Sequence, residues 1–290
     1  MKTFSILTLA LLAFFRAAAQ VTVELVQEQD QFLPCEAMPL AVKITNRSGQ
    51  QIHLGAEPNW LTFTVESTDG FVVLKKSDVP VQGEFELESS QMGTKGVDLA
   101  PYFTMNKPGR YKIIATLHVP DWRATVTSAP KHFDIVHGAK IWAQDFGVRN
   151  GTNAAPEVFK YTLEQANYLR TQLRLYVQLS DGDETRVFHT EALGAMVSFS
   201  QPEAQVDRTS RLHVLWQAGA QSFSYCLVGP DGKLIRHDTY DNFGGRPKLG
   251  VDANGEVGVL GGSRRGAPAE APVVPMVKAP NELRATPVTK

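Results

Sequence analysis

Hydrophobic and polar residues alternate along most of the first half of the chain. Because successive side chains of a β-strand point to opposite faces, apolar residues at every second position predict half-buried strands. Turn sequences rich in Gly, Asn and Pro separate the runs. Short strands joined by such turns are typical of a β-sandwich, which is predicted here for residues 20–137. The alternating runs are residues 21–25, 40–44, 61–65, 111–119 and 133–135.

Residues 138–263 contain a repeat. Segments 202–207 and 247–252 match at Pro, Val and Asp with an offset of 45 residues, and a looser copy begins at Pro156. A period in the forties with strands and an Asp-containing turn resembles degenerate β-propeller blades, about two and a half of them. Such a number does not close a propeller, so the first domain, a partner or self-association must cover the open sheet edges. An ordinary antiparallel meander is the alternative.

Three stretches of the first domain resemble a known family. They are LAVKITNRSGQQIHL from Leu40, WLTFTVESTDGFVV from Trp60, and PGRY from Pro108 leading into KIIATL. A strand ending in Asn, a Ser-Gly turn, a Phe-x-Val strand before Asp-Gly and a late Gly-x-Tyr strand resemble bacterial immunoglobulin-like domains. The similarity is greatest to the bacterial intracellular proteinase inhibitor family. It implies an immunoglobulin-like sandwich and inhibition of a proteinase, but no inhibitory loop of that family maps onto this sequence.

The predicted fold class is therefore all-β, an immunoglobulin-like sandwich followed by an antiparallel blade-like domain. Residues 162–170 fit two structures. Thr162-Leu163-Glu164-Gln165 matches a capping box that opens a helix, whereas the alternation of Phe159, Tyr161 and Leu163 matches a strand. The Pro/Ala-rich tail 264–290 has no usable period and is predicted to be extended or disordered.

The N-terminal residues are typical of a secretory signal peptide. Lys2 precedes the apolar run 4–15, and small residues follow, which predicts cleavage between Ala19 and Gln20. A membrane anchor is the alternative, but the run is too short to cross the ~30 Å hydrocarbon core of a bilayer. With residues 1–19 removed, the sequence predicts no integral membrane segment. The mature chain is predicted to be exported, to the periplasm or outside the cell.

Composition and motifs narrow the classes of function. The chain has 29 Lys and Arg against 30 Asp and Glu, so it lacks the basic excess of a nucleic-acid-binding protein. It contains none of the motifs HExxH, GxSxG, GxGxxG after a strand, or a Walker loop, so no catalytic residue, metal ligand or cofactor is predicted. A hydrolase site assembled only in space stays open, with His237 beside Asp238 as the best local acid–base pair. The acidic turn at Asp181 is predicted to be a solvated hairpin.

Cys35 and Cys226 are separated by most of the chain and fall in different predicted domains. Cys35 lies in a turn-like Leu-Pro-Cys-Glu sequence, whereas Cys226 lies in a strand-like apolar run and is predicted to be a small core residue. We expect two separate thiols. A disulfide remains the alternative, because an exported protein can form one.

The aromatic residues supply the remaining candidates. Trp60 and Trp216 lie in strand-like runs and are predicted to be core. Trp122, Trp142 and Phe146 are candidates for ligand binding or interdomain contact, since aromatic side chains in clefts hold sugars and partner chains. The sequence therefore favours an exported, non-enzymatic binding or structural protein that acts through β-sheet surfaces on a protein or glycan partner. A proteinase inhibitor and a hydrolase are the alternatives.

Overall fold

The computed structural model describes residues 21–148, 157–169, 172–252, 255–266 and 286–287. The described chain is almost entirely β, in several separate and mostly antiparallel sheets, and its helical content is the 3-10 turn Pro120–Trp122. None of the described helices could span a membrane. The predicted cleavage site, Ala19 and Gln20, lies outside the described residues. The all-β prediction is confirmed.

The first half of the chain contains two sheets and a short strand pair. One sheet has the order β1, β3, β7, and the other has the order β2, β10, β8, β5 with β9 attached to β8; β4 pairs with β6. The strands are β1 (Val21–Val26), β2 (Gln31–Phe32), β3 (Pro39–Asn46), β4 (Ile52–Leu54), β5 (Leu61–Ser67), β6 (Phe85–Leu87), β7 (Gln91–Asp98), β8 (Gly109–Val119), β9 (Ala124–Thr127) and β10 (Lys131–Ile135).

Both sheets of the first half contribute to one apolar core. Strand β8 buries alternate residues from Tyr111 to Val119, as the sequence pattern predicts, and β3 does the same. Trp60 is fully buried in this core, and its indole N–H donates a hydrogen bond of 2.8 Å to the carbonyl of Val81. The tryptophan therefore buries its large apolar ring without leaving its one donor unpaired.

The second half contains two sequential meanders and a final hairpin. The first sheet has the order β11 to β14, the second has β15 to β18 followed by β21, and β19 pairs with β20. The strands are β11 (Ala139–Val148), β12 (Glu157–Leu169), β13 (Gln172–Asp181), β14 (Val187–Ala195), β15 (Glu203–Val206), β16 (Leu212–Gln217), β17 (Ser222–Val228), β18 (Leu234–Asp241), β19 (Lys248–Val251), β20 (Val257–Leu260) and β21 (Ser263–Arg264). The ambiguous segment 162–170 is strand as far as residue 169.

Strand β16 is buried on both faces. Val214 and Trp216 pack in a core shared with β12 and β13, whereas Leu215 packs in a separate core with Leu249 and Val259 of the last hairpin. The three sheets are therefore stacked, with the second in the middle. A strand covered on both sides has a continuous apolar sequence, here LHVLW, in place of alternation.

Two hairpins of the second half have the same turn, 45 residues apart. Asp207 begins one and Asp252 begins the other. In each, the aspartate N–H donates to the carbonyl four residues later at 2.9 Å, and the N–H of that later residue donates back to the carboxylate. The residue just before that later residue has a left-handed backbone in both turns, with φ 62° at Ser210 and 79° at Gly255. The repeated sequence thus has a repeated local geometry.

The free edge of β14 is covered by the first half of the chain. The N–H and hydroxyl of Thr190 donate to the carbonyls of Cys35 and Pro34, at 3.3 and 2.7 Å. Beside them Leu33 packs with Ala166 and Tyr176 in a small buried cluster. The first half of the chain therefore covers the edge of β14 at Thr190.

The structure extends regular pairing into the C-terminal tail. Strand β21 includes Arg264 and pairs with β18, and β22 (Thr286–Pro287) pairs with β7 in the first half. Arg265 forms an ion pair with Asp241 at the same edge. The first tail residues after position 263 thus continue the edge of the second sheet.

Candidate functional site

A polar groove of about 520 Å³ lies where β12 approaches the outer face of the first half. Strands β8 and β10 form its floor, the segment before β2 forms one side, and Tyr168 of β12 forms another. This volume is in the range of small-ligand pockets. The polar and aromatic residues that line it include Asp30, Arg110, Lys131, His132, Asp134 and Tyr168.

Strand alternation places Arg110 and Asp134 on the floor of the groove. Phe133 points into the core, so its neighbour Asp134 points to the outer face. Arg110 stands directly opposite Asp134 in the antiparallel register. Its Nε and Nη2 donate to the two carboxylate oxygens at 2.9 and 3.3 Å. The pair is bidentate, a geometry that fixes both side chains in one orientation.

A second ion pair also lines the groove, although Lys131 is on the same face of β10 as Phe133. The ammonium of Lys131 donates to the carboxylate of Asp30 at 3.1 Å. The groove therefore carries two basic and two acidic side chains, each basic group paired with an acidic one. A groove with compensated charges offers many hydrogen-bond donors and acceptors but no net attraction for an ion.

Tyr168 forms an aromatic wall of the groove, and a cation–π contact with Arg174 stabilises it. The guanidinium of Arg174 lies 3.4 Å from the centre of the Tyr168 ring. Tyr168 is the extra residue of a bulge, because the register between β12 and β13 shifts between Asn167 and Leu169. The bulge turns the tyrosine out of the regular alternation, and the cation–π contact stabilises its position.

Behind this wall, a hydrogen-bonded path leads into the junction between the two halves. Glu36, only 6% exposed, accepts from the side-chain amide of Gln29 at 3.0 Å and from the backbone N–H of Leu33 at 2.8 Å. The amide oxygen of Gln29 in turn accepts from Nη1 of Arg174 at 3.4 Å. Buried Glu36 is thus connected through Gln29 and Arg174 to the wall of the groove.

The environment of Glu36 changes its acidity. Burial raises the pKa of Glu36 to about 7, against the opposing effects of the hydrogen bonds from Leu33 and Gln29 and of the charge of Arg174. The carboxylate of Glu191 adds to the increase. Burial also raises the pKa of the nearby Tyr176, and Glu36 adds to that effect. This junction therefore holds a carboxyl group that titrates near neutral pH.

A second polar cluster lies in the other half of the chain. The carboxylate of Asp207 pairs with Arg211 at 2.8 Å and lies 3.3 Å from Nε2 of His213. Nδ1 of His213 lies 2.8 Å from the Tyr225 hydroxyl. His213 and Tyr225 are both buried, so this chain of groups joins the turn to strands β16 and β17. No motif in the sequence indicated this cluster.

The acid–base pair suggested by the sequence is divided between the two faces of β18. His237 stacks on Trp216 with ring centres 6.0 Å apart. Asp238 points the other way and pairs with Arg236 and Arg264, at 2.6 and 2.7 Å. Neighbouring strand residues face opposite sides, so His237 and Asp238 do not converge on one point.

The aromatic candidates from the sequence pack in or against the two cores. Trp122 packs against the core of the first half, and Trp142 packs against that of the second. Phe146 stacks on Tyr161 within the second core, with ring centres 4.2 Å apart. The buried apolar contact between the halves is made by Leu33 and its neighbours. A role of the three aromatic residues in binding stays a prediction.

Both cysteines are free thiols, as predicted. The Cys35 sulfur lies 3.6 Å from the carbonyl of Val187 at the junction, and Cys226 is fully buried in the second core. The acidic turn at Asp181 is a hairpin turn, in which Glu184 pairs with Lys140 and Lys160. Across the part of the chain that the structure describes, His, Cys, Asp and Glu side chains form no cluster suited to a metal ion.

No protein family model and no curated protein matches this sequence. Among solved structures, the sporulation control protein Spo0M from Bacillus subtilis is similar, with a TM-score of 0.32 and 8% sequence identity. The similarity covers 74% of this chain and 80% of that chain. A TM-score this low does not establish a shared fold.

Proposed function

We propose that this is an exported, non-enzymatic binding protein that takes a short, uncharged saccharide in the groove between its halves. The observation that carries the proposal is the paired charge of the groove. Arg110 with Asp134, and Lys131 with Asp30, present hydrogen-bonding groups whose charges cancel. A ligand rich in hydroxyl groups can accept and donate along such pairs without bringing a charge of its own.

The aromatic wall supports the same ligand class. The ring of Tyr168 offers an apolar face beside a polar floor, and a sugar ring has an apolar face and a polar rim. An anionic ligand would meet the carboxylates of Asp30 and Asp134, and a cationic ligand would meet Arg110 and Lys131. Either would have to break an existing ion pair.

The finer architecture belongs to the same proposal. We propose an immunoglobulin-like sandwich over residues 20–137 and blade-like repeats over 138–263. The common core of the two N-terminal sheets supports the first, and the matching turns at Asp207 and Asp252 support the second. Inhibition of a proteinase and hydrolysis at a spatially assembled site stay predictions from the sequence.

Titration of the purified protein with neutral and charged oligosaccharides tests the binding function. We expect saturable calorimetric binding of at least one of three neutral probes, namely maltohexaose, cellohexaose and N-acetylchitohexaose, and none of hexagalacturonate. Arg110→Ala should weaken that binding about tenfold, because it removes a charged hydrogen-bonding partner. Lys112→Ala is the matched control, since Lys112 lies on the same face of β8 but pairs with Glu66 outside the groove lining.

Two results would overturn the saccharide proposal. One is an absence of saturable binding by all three neutral probes at millimolar concentration. The other is an equal loss of affinity in Arg110→Ala and Lys112→Ala. Export is tested separately by the mass of the protein recovered outside the cytoplasm, which should correspond to a chain beginning at Gln20.

A further inference from the structure

Gln29 lies between Glu36 and Arg174, one of which accepts from its amide nitrogen while the other donates to its amide oxygen. Its nitrogen donates to Oε1 of Glu36, and its oxygen accepts from the guanidinium of Arg174. Gln29 is 6% exposed, so water has little access to replace either partner. The orientation of this amide therefore depends on whether its neighbours donate or accept.

The hydrogen-bond pattern fits an ionised Glu36. A carboxylate is an acceptor only, so the Gln29 nitrogen must face it, and the Gln29 oxygen is then free to accept from Arg174. The other carboxylate oxygen already accepts from the backbone N–H of Leu33. Oε2 can keep the hydrogen bond from Leu33 when Glu36 is protonated, and the state that concerns Gln29 is the one with the proton on Oε1, the oxygen that faces it.

Protonation reverses what Gln29 has to do. The new O–H of Glu36 needs an acceptor, which Gln29 can supply only by turning its oxygen toward Glu36. Its NH₂ group then faces the guanidinium of Arg174, and two donors oppose each other. Arg174 loses its hydrogen bond to Gln29, which is one of the contacts that hold the guanidinium against the Tyr168 ring, beside its interaction with Tyr176.

We propose that Gln29 is a two-state relay through which protonation of Glu36 releases Arg174 and loosens the Tyr168 wall of the groove. The relay needs no change in the fold, only a half-turn of one buried amide. As far as it regulates ligand binding, it rests on the proposed function, but the relay itself exists without any ligand.

The groups around Glu36 determine the pH range in which the relay switches. Arg174 and Tyr176 face it from β13 and Glu191 faces it from β14, where His189 lies 2.9 Å from Glu191. Cys35 precedes Glu36 in the chain, and burial raises the pKa of its thiol. With the pKa of Glu36 raised to about 7 by burial, the relay switches across neutral pH.

Nuclear magnetic resonance of the ligand-free protein tests the relay directly. We expect the Nε–Hε signal of Arg174 and the ring signals of Tyr168 to shift together between pH 5 and pH 9, with a midpoint near 7. Glu36→Gln should abolish both shifts, because its amide nitrogen permanently presents a donor to Gln29. Gln29→Leu should reduce the Arg174 shift to the part caused by the direct effect of the Glu36 charge, since it removes the hydrogen bonds that connect the two groups.

Two control variants identify the titrating group. Glu66→Gln, at an exposed carboxylate paired with Lys112, should leave both shifts unchanged. His189→Asn removes the nearest imidazole and should also leave them in place. The relay is overturned if the Arg174 signal does not titrate in the wild type, if it still titrates in Glu36→Gln, or if it shifts as far in Gln29→Leu as in the wild type. It is also overturned if His189→Asn removes the titration.

Ligand binding gives a separate readout. The neutral hexasaccharide that binds should have about threefold higher affinity at pH 8 than at pH 5.5. This is the factor expected from one stabilising cation–π contact. Glu36→Gln should remove the difference. If Arg174 titrates but none of the three saccharides binds, the relay stands and the saccharide proposal fails. If a saccharide binds while Arg174 does not titrate, the relay fails and the proposed function stands.

Discussion

The imidazole of His213 lies 3.3 Å from the carboxylate of Asp207, and this contact joins a hairpin turn to the buried middle sheet. Burial raises the pKa of Asp207, but hydrogen bonds from Arg211, Thr209 and His213 outweigh it and hold the pKa well below its usual value. Burial lowers the pKa of His213, against the opposing effect of Asp207. The folded protein therefore favours an ionised aspartate and a neutral histidine.

Asp207→Ala should destabilise the protein more than Asp252→Ala. The first substitution removes an acceptor that serves Arg211, Thr209 and buried His213, and we expect it to cost about 2 kcal/mol. Asp252 is exposed, so water can replace its hydrogen bonds and the cost should be about 0.5 kcal/mol. Urea unfolding at pH 7 measures both. Equal costs would show that the Asp207 network adds nothing to the turn.

The stability of the protein in acid should also depend on the Asp207 network. Because the pKa of Asp207 is depressed in the folded state, its stabilising contribution is present above the unfolded pKa of about 4 and is lost as the pH falls below it. In Asp207→Asn the loss of stability between pH 4 and pH 2 should be smaller than in the wild type. Chemical denaturation at a series of pH values checks this, and parallel curves for the two proteins would contradict it.

Glu36 should have the opposite pH dependence. Its folded pKa of about 7 lies above the unfolded value, so the protein loses stability as the pH rises from about 4.5 through 7. Glu36→Gln cannot ionise, and at pH 8 it should be more stable than the wild type by up to about 3 kcal/mol. At pH 5 the two should be similar. A difference that does not change with pH would show that Glu36 is not the titrating group.

Gly232 and Gly49 share a left-handed backbone, each with φ 82°, but differ in their surroundings. A Cβ at position 232 would lie 3.1 Å from Leu179 and 3.2 Å from His189, whereas one at position 49 would meet nothing within 4 Å. Gly49→Ala should cost about 1 kcal/mol from backbone strain alone. Gly232→Ala should cost about 1 to 3 kcal/mol more from crowding. Thermal unfolding compares them, and equal losses would exclude the crowding effect.

The two thiols should react at different rates in the native protein. Cys226 is fully buried, and burial raises its pKa well above the usual value, so a thiol reagent should modify it only after unfolding. Cys35 is only partly buried and should react slowly in the native state. Mass spectrometry after treatment with iodoacetamide distinguishes them, with Cys35→Ser as the control. Native labelling of Cys226 would contradict the buried position.

The sequence predicts the residues on the floor of the groove better than it predicts those of the Tyr168 wall. The alternation of His132, Phe133 and Asp134 predicts which side chains leave the core, and that outcome needs only the period of a strand. The pairing of Arg110 with Asp134 depends on the register between β8 and β10. Alternation does not determine that register, because a shift of two residues keeps every side chain on the same face. No local signal identified Gln29, Glu36 or Arg174, because they meet only where the two halves touch.

By itself, the sequence determined the local structure of this protein. Its apolar period of two fixes strands and their buried faces, and its recurring Asp turns fix two hairpins, because both depend on residues close together in the chain. The tertiary structure decided which strands share a core, which edge Thr190 closes against Pro34, and that a carboxyl group is buried beside an arginine from the other half. Those outcomes depend on contacts between distant residues, whose energies come from burial and from the geometry of the junction.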